Sequence, residues 1–268
     1  MDKTKIKWKV LHAGISLFIV SGHGSPIDNA DVLYEKMLNS KPDSFQTFPN
    51  NLNNSTASGD YNKIQVSCNV SSNRINFSLS SLSAPIEKNI PYINSKEDSI
   101  NVLLLIINNI KSFATENKKI YGFGFTLRIA VVDCEENSDA NNIIMSAIPP
   151  KYRPNLTDEK NFILQINQPR EFFYTLGSDK VEINSVKKWS VEDFVVLSIL
   201  GNPLNLINQS ENKLEPKVTI KPVINFEENN MPFSIDKNLN KYYLTNIFQE
   251  ALSNFEKFWM EINNNEEL

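Results

Sequence analysis

Apolar positions in this chain alternate with polar ones in some stretches and recur at helical spacing in others. Ile15 to Val20 is rich in β-formers and ends at Ser21-Gly22-His23-Gly24-Ser25-Pro26, which predicts a strand and then a turn. Asp28 stands where it can cap a following helix, whose positions Ala30, Leu33, Tyr34 and Met37 share one face before Lys41-Pro42-Asp43 ends it. Residues 46–62 are polar, with many Asn, Ser and Gly, and predict a long loop. Alternation is cleanest just beyond it. Ile64, Val66, Cys68 and Val70 fall on one side, with Gln65, Ser67 and Asn69 on the other. Ser71-Ser72-Asn73 predicts a tight turn, after which Ile75, Phe77 and Leu79 resume the alternation, giving a hairpin with one buried and one solvated face. From Ser99 to Phe113 the residues are apolar around most of a helix, which places that helix centrally.

The same sequence of signals returns. Phe123, Phe125, Leu127, Ile129 and Val131 predict a strand, followed by the acidic turn Asp133-Cys134-Glu135-Glu136. Ser138 is placed to cap a helix carrying Ala140, Ile143, Ile144 and Ala147, which Pro149-Pro150 terminates. Residues 162–166 and 181–186 predict two strands. Ser190-Val191-Glu192-Asp193 reads as a helix start with a carboxylate at its third position. Residues 202–215 read as loop. Val218 to Phe226 predicts a strand that Pro222 confines to an edge or a bulge. Leu244, Ile247, Phe248, Ala251, Phe255, Phe258, Trp259 and Ile262 then form one broad helical stripe.

One residue interval separates Asp28 from Ser138, Ala30 from Ala140, Leu33 from Ile143, Tyr34 from Ile144 and Met37 from Ala147. The pattern predicts an α+β fold of two related β-α-β-β-α halves, residues 1–120 and 121–268, the second with an insertion near 190–216. Mainly antiparallel sheets with helices packed on one face follow, because each sheet has one apolar face to cover and a polar face left open.

Composition refines this picture only modestly. The chain has 268 residues, 41% of them hydrophobic, enough for one large core or two smaller ones. A formal net charge of -4 argues against binding dominated by phosphate neutralisation. The two cysteines, Cys68 and Cys134, adjoin strand-like segments and read as buried free thiols, in keeping with a reducing, cytoplasmic setting. Lysines ahead of the apolar run from Val10 to Val20 imitate a signal peptide, but Asp2 and His12 interrupt the pattern, so no cleaved leader is expected. No apolar run reaches membrane-spanning length, so no membrane partner is expected.

Candidate chemistry is sparse. His23, in its glycine-flanked turn, is the one histidine placed to serve an anion site, yet the spacing fits neither a Walker nor a dinucleotide pattern. Asp133, Glu135, Glu136 and Asp139 are the densest carboxylate group. Their place at a helix start is explained by the helix dipole, and neither metal nor cofactor is expected. Lys5, Lys7, Trp8 and Lys9, with Lys187, Lys188 and Trp189, interleave cations with aromatic rings as single-strand nucleic-acid binders do. The alternation of Lys5, Lys7 and Lys9 equally fits the solvent side of an edge strand.

The resulting expectation is a non-catalytic intracellular binding or assembly module, a subunit of a protein complex or a self-associating protein. Its interaction surface would be Phe255, Phe258 and Trp259 on the last helix. Nucleic-acid binding through the Lys/Trp patches is the first alternative, and an enzyme with a site at the His23 turn or the Asp133–Asp139 turn is the second.

Overall fold

A computed structural model describes residues 6–19, 27–48, 54–82, 90–93, 95–113, 120–133, 137–154, 162–173, 180–196, 217–230 and 241–264. The first strand, β1 (Trp8–Ile19), lies in mid-sheet, and Leu11 is an extra residue between the partners of Val10 and His12. That bulge changes which side chains face inward: Trp8 and Val10 before it, then Ala13, Ile15, Leu17 and Ile19 after it, all buried. Helix α1 (Ala30–Leu38) follows, then β2 (Ser44–Thr47), β3 (Ser55–Tyr61), β4 (Ile64–Ser71), β5 (Arg74–Ser81) and α2 (Lys96–Phe113). The remainder is β6 (Ile120–Val131), α3 (Asn137–Ala147), β7 (Ile163–Phe173), β8 (Lys180–Val196), β9 (Lys217–Asn230) and α4 (Lys241–Asn264).

All the strands join one antiparallel nine-stranded sheet in the order β2-β3-β4-β5-β1-β6-β9-β8-β7. Inward side chains of the strands and the apolar faces of the helices form one continuous core. Its densest part lies beneath α4. Phe226 stacks on Phe258 at 5.8 Å between ring centroids, while Trp189 meets Phe258 edge-on at 6.0 Å and Phe123 meets Phe248 edge-on at 5.3 Å. The fold is therefore α+β, with an antiparallel sheet covered by helices on one face and, at one end of the other, by Ile90 and Tyr92 over a small apolar cluster of Leu11, Ala130 and Val223.

Connectivity runs alike on both sides of the sheet centre. From β1 the chain passes through α1 to the edge strand β2 and on to β3, returns by β4 and β5 to lie beside β1, and leaves into α2. From β6 it passes through α3 to β7, returns by β8 and β9 to lie beside β6, and leaves into α4. The interval between Asp28 and Ser138 also carries Ile15 onto Phe125, and these two residues pair directly where β1 meets β6. The second side is β-α-β-β-β-α, as its predicted strands give, and the first is β-α-β-β-β-β-α, with β2 and β3 as strands the alternation does not predict. The boundary expected after residue 120 falls at the first strand of the second side, and sheet and core continue across it.

Several local expectations are corrected. The predicted loop 46–62 contains part of β2 and all of β3. The inward positions of β3 are Ser55, Ala57 and Gly59, too small to register as an apolar row. Gly59 is small because a Cβ there would meet the Asp43 backbone nitrogen at 2.9 Å and the Tyr34 hydroxyl at 3.0 Å. Ser190 through Asp193 do not start a helix. They continue β8 and pair with Val223 through Ile220 of β9, and this pairing overrides a local capping pattern. Asp28 does not cap α1. It pairs with Lys36 at 3.1 Å, and the Ala30 N–H donates instead to Ser55 Oγ at 2.9 Å. Ser138 lies inside α3, and α2 starts earlier than Ser99, with Ser95 Oγ accepting from the Asp98 N–H at 3.1 Å. β1 is central rather than an edge, so the lysine alternation along it has no edge to guard.

Pro222 sits one residue outside the span of β9 paired with β6, where the strand is locally an edge. From Glu192 and Lys221 to their ends β8 and β9 pair only with each other, as a ribbon extending past the sheet with Val195 and Val218 exposed.

Candidate functional site

The side chains that point away from the helices form the other face of the sheet, and their character follows from register. One row crosses all the strands through Gln46, Thr56, Asn69, Asn76, Ser16, Gly124, Asn229, Asn184 and Pro169. The next row starts with Ser44, Ser58, Ser67, Ser78 and Gly14 and continues through Thr126 and Glu227 to Val186. These groups bond to one another across strands: Thr56 Oγ1 donates to Asn69 at 2.9 Å, Ser16 Oγ to Asn76 at 2.8 Å, and Arg74 to Ser16 Oγ at 2.9 Å. A polar face laid out in this way is stable in water without a covering layer.

On the β6 side the face carries longer side chains and sinks into a hollow of about 500 Å³. His12, Arg128, Asn225, Lys188 and Gln165 form one wall as successive partners across β1, β6, β9, β8 and β7, and Thr126 and Glu227 belong to the adjoining row. Gly14 makes room between them, since a Cβ there would stand 3.1 Å from Thr126 Oγ1 and 3.3 Å from the His12 ring. The Arg128 guanidinium forms an ion pair with Glu192 and lies over the Phe194 ring at 5.4 Å. Lys188 approaches the same carboxylate at 3.8 Å, and Ser190 Oγ donates to it at 2.7 Å. Glu227 accepts from Asn229 at 2.5 Å. Burial, and secondarily the positive charge of Arg128, hold the His12 imidazole below its ordinary pKa, so the ring is neutral at pH 7. Arg128 Nε is buried and has no hydrogen-bond partner among the described residues.

A second polar group lies under the helices. Glu228 stands at an inward position opposite Phe125 and is 1% exposed. Arg170 Nη2 donates to Glu228 Oε2 at 2.6 Å and Arg170 Nη1 pairs with Glu250 of α4, while Asn254 of α4 donates to Glu228 Oε1 at 3.2 Å. Each carboxylate oxygen of Glu228 accepts a hydrogen bond, so this group fastens α4 to the sheet, while Arg170 Nε is buried without a partner among the described residues.

The residues singled out in the sequence are placed differently. Lys7 is exposed, Trp8 is buried, and Lys9 lies over Tyr92 at 4.9 Å. Lys187 points to the helix side, 4.8 Å above the Phe258 ring, whereas Lys188 points to the open face. Trp189 is 1% exposed, and neither it nor Trp8 presents a ring face on which a base can stack. Phe255 and Phe258 belong to the core, and only Trp259 is partly exposed, with Lys96 Nζ 5.3 Å from its ring. Burial against β9 explains this: the stripe faces Phe226. Asp133 and Asp139 are exposed. Lys5, His23, Cys134, Glu135 and Glu136 lie outside the described residues. Among the described residues no three His, Cys, Asp or Glu side chains group as metal ligands, and no described helix is long and apolar enough to cross a membrane.

Sequence reasoning passed over Thr126, Arg128, Asn225, Glu227 and Glu192. The available signal was their position: each lies on the polar side of an alternating strand. Their convergence depends on pairings between distant segments. Comparisons with protein-family models, with proteins of curated function and with solved structures return no match.

Proposed function

We propose that this protein is a non-catalytic binding module, a component of a protein complex, and that its recognition surface is the open face of the sheet. The observation that carries the reading is the hollow at His12, Thr126, Arg128, Asn225 and Glu227, a concave site with hydrogen-bonding groups in place on a face that the helices leave open. Its charged groups are already engaged with one another, an arrangement suited to recognition. Matching strand order on the two sides of the sheet also supports descent of the halves from one duplicated β-α-β-β-β-α unit.

The test is affinity capture with surface variants. Thr126→Arg, which fills the hollow, and Ser78→Arg, on the flat part of the same face, are expected to lose the partner that the unaltered chain retains. Glu256→Arg, on the solvent side of α4, is expected to keep it. Loss with Glu256→Arg and retention with the two open-face variants overturns the reading.

A further inference from the structure

We propose that the hollow accepts an uncharged, amide-bearing stretch of a partner polypeptide, with Thr126, Asn225 and His12 as its hydrogen-bonding contacts. The inference rests on the open face being the recognition surface and goes on to state what that surface reads.

Charge decides first between classes of ligand. Arg128 and Lys188 both lean on Glu192, and Glu227 is held by Asn229. Two cations therefore stand among two carboxylates, and the hollow is formally neutral. An incoming charge of either sign would lose hydration and meet a like charge on one wall, so both acidic and basic segments are disfavoured. The capacity open to a ligand is of a different kind. Thr126 brings a hydroxyl and Asn225 a carboxamide, each both donor and acceptor, to the same hollow. The neutral His12 ring adds one donor and one acceptor.

A peptide or side-chain amide carries an N–H and a C=O in one plane and can answer both kinds of group at once. Arg128 and Asn225 occupy paired positions on β6 and β9, and both line the hollow. The carboxamide of Asn225 can exchange a reciprocal N–H···O pair with an amide of the ligand, which a polyol hydroxyl cannot reproduce in one plane. Val186 supplies an apolar patch beside them for the methylenes of an Asn or Gln side chain. A volume of about 500 Å³ leaves room for a short segment rather than a single atom group.

The experiment is an NMR titration of the isotope-labelled full chain with four probes at equal concentration: blocked tri-asparagine, tri-glutamate and tri-lysine peptides, and glucose. Tri-asparagine is expected to shift the Thr126, Arg128 and Asn225 resonances saturably, and the other three to leave them in place. Asn225→Ala and Thr126→Arg are each expected to abolish the response while the remaining spectrum keeps its dispersion. The inference is overturned by the absence of a saturable shift with tri-asparagine, or by an equal response to a charged peptide or to glucose. If Thr126→Arg loses the captured partner but tri-asparagine produces no shift, the recognition surface stands and the amide preference falls. If all responses map to the helix side, both fall.

Discussion

Tyr34 is fully buried beneath α1, and its hydroxyl makes no hydrogen bond among the described residues. Burial, followed by the nearby Asp43 and Asp60 carboxylates, pushes its pKa up from 10.0 to about 12. Tyr34→Phe removes an unsatisfied buried oxygen at little cost in packing, so near pH 7 the variant is expected to be as stable as the parent or more so. The sign at high pH follows from linkage. The folded state holds the phenolic proton more tightly than the unfolded chain, so stability is fully present below pH 10.0 and declines as the pH rises toward about 12. Denaturant titrations across that window should show a decline in the parent that Tyr34→Phe lessens. Lys63 makes a second residue-scale case. Asn62 and Lys63, with φ of 53° and 65°, form the two-residue turn between β3 and β4, a turn in which both residues are left-handed. A lysine in this region pays a steric penalty that glycine avoids, so Lys63→Gly is expected to raise stability by about 1 kcal/mol in the same assay.

At the scale of elements, the readable parts are those with large apolar side chains in step. The hairpin β4–β5, helices α1 and α3 and the stripe of α4 are visible because Val, Ile, Leu, Phe and Met repeat with the period of their element. β3 is hidden because its inward row is Ser55, Ala57 and Gly59, and β2 because all four of its residues are exposed. The far end of β8 is misread because Ser190 and Asp193 have the spacing of a helix cap, yet there Ser190 Oγ bonds to Glu192 and the backbone pairs with β9. The candidate site is invisible for a related reason: its walls come from five strands, and no local pattern encodes their register. The attachment of α4 can be tested directly. Glu228→Ala leaves Arg170 without its buried partner and is expected to cost about 3–5 kcal/mol in equilibrium unfolding. Replacing both, Arg170→Met with Glu228→Leu, removes the charges together and is expected to recover most of that loss. If the double variant is no more stable than Glu228→Ala, the network holds α4 by more than charge compensation.

At the scale of the whole molecule, the asymmetry between the two faces is what matters. Four helices and the main core occupy one side of the described structure, while the other is largely polar, with a hollow beside a small apolar cluster of Leu11, Ala130 and Val223 under Ile90. Cys68 is buried and its thiol pKa is raised by that burial, so it stays inert beside an introduced probe. With Cys134→Ser as background, single probes Ser78→Cys and Thr126→Cys report the open face, and Glu256→Cys reports the helix side. Maleimide labelling rates, measured for the free chain and for the captured complex, test the account most directly. The predicted result is protection of Ser78→Cys and Thr126→Cys by the partner with an unchanged rate at Glu256→Cys; protection confined to Glu256→Cys would contradict it.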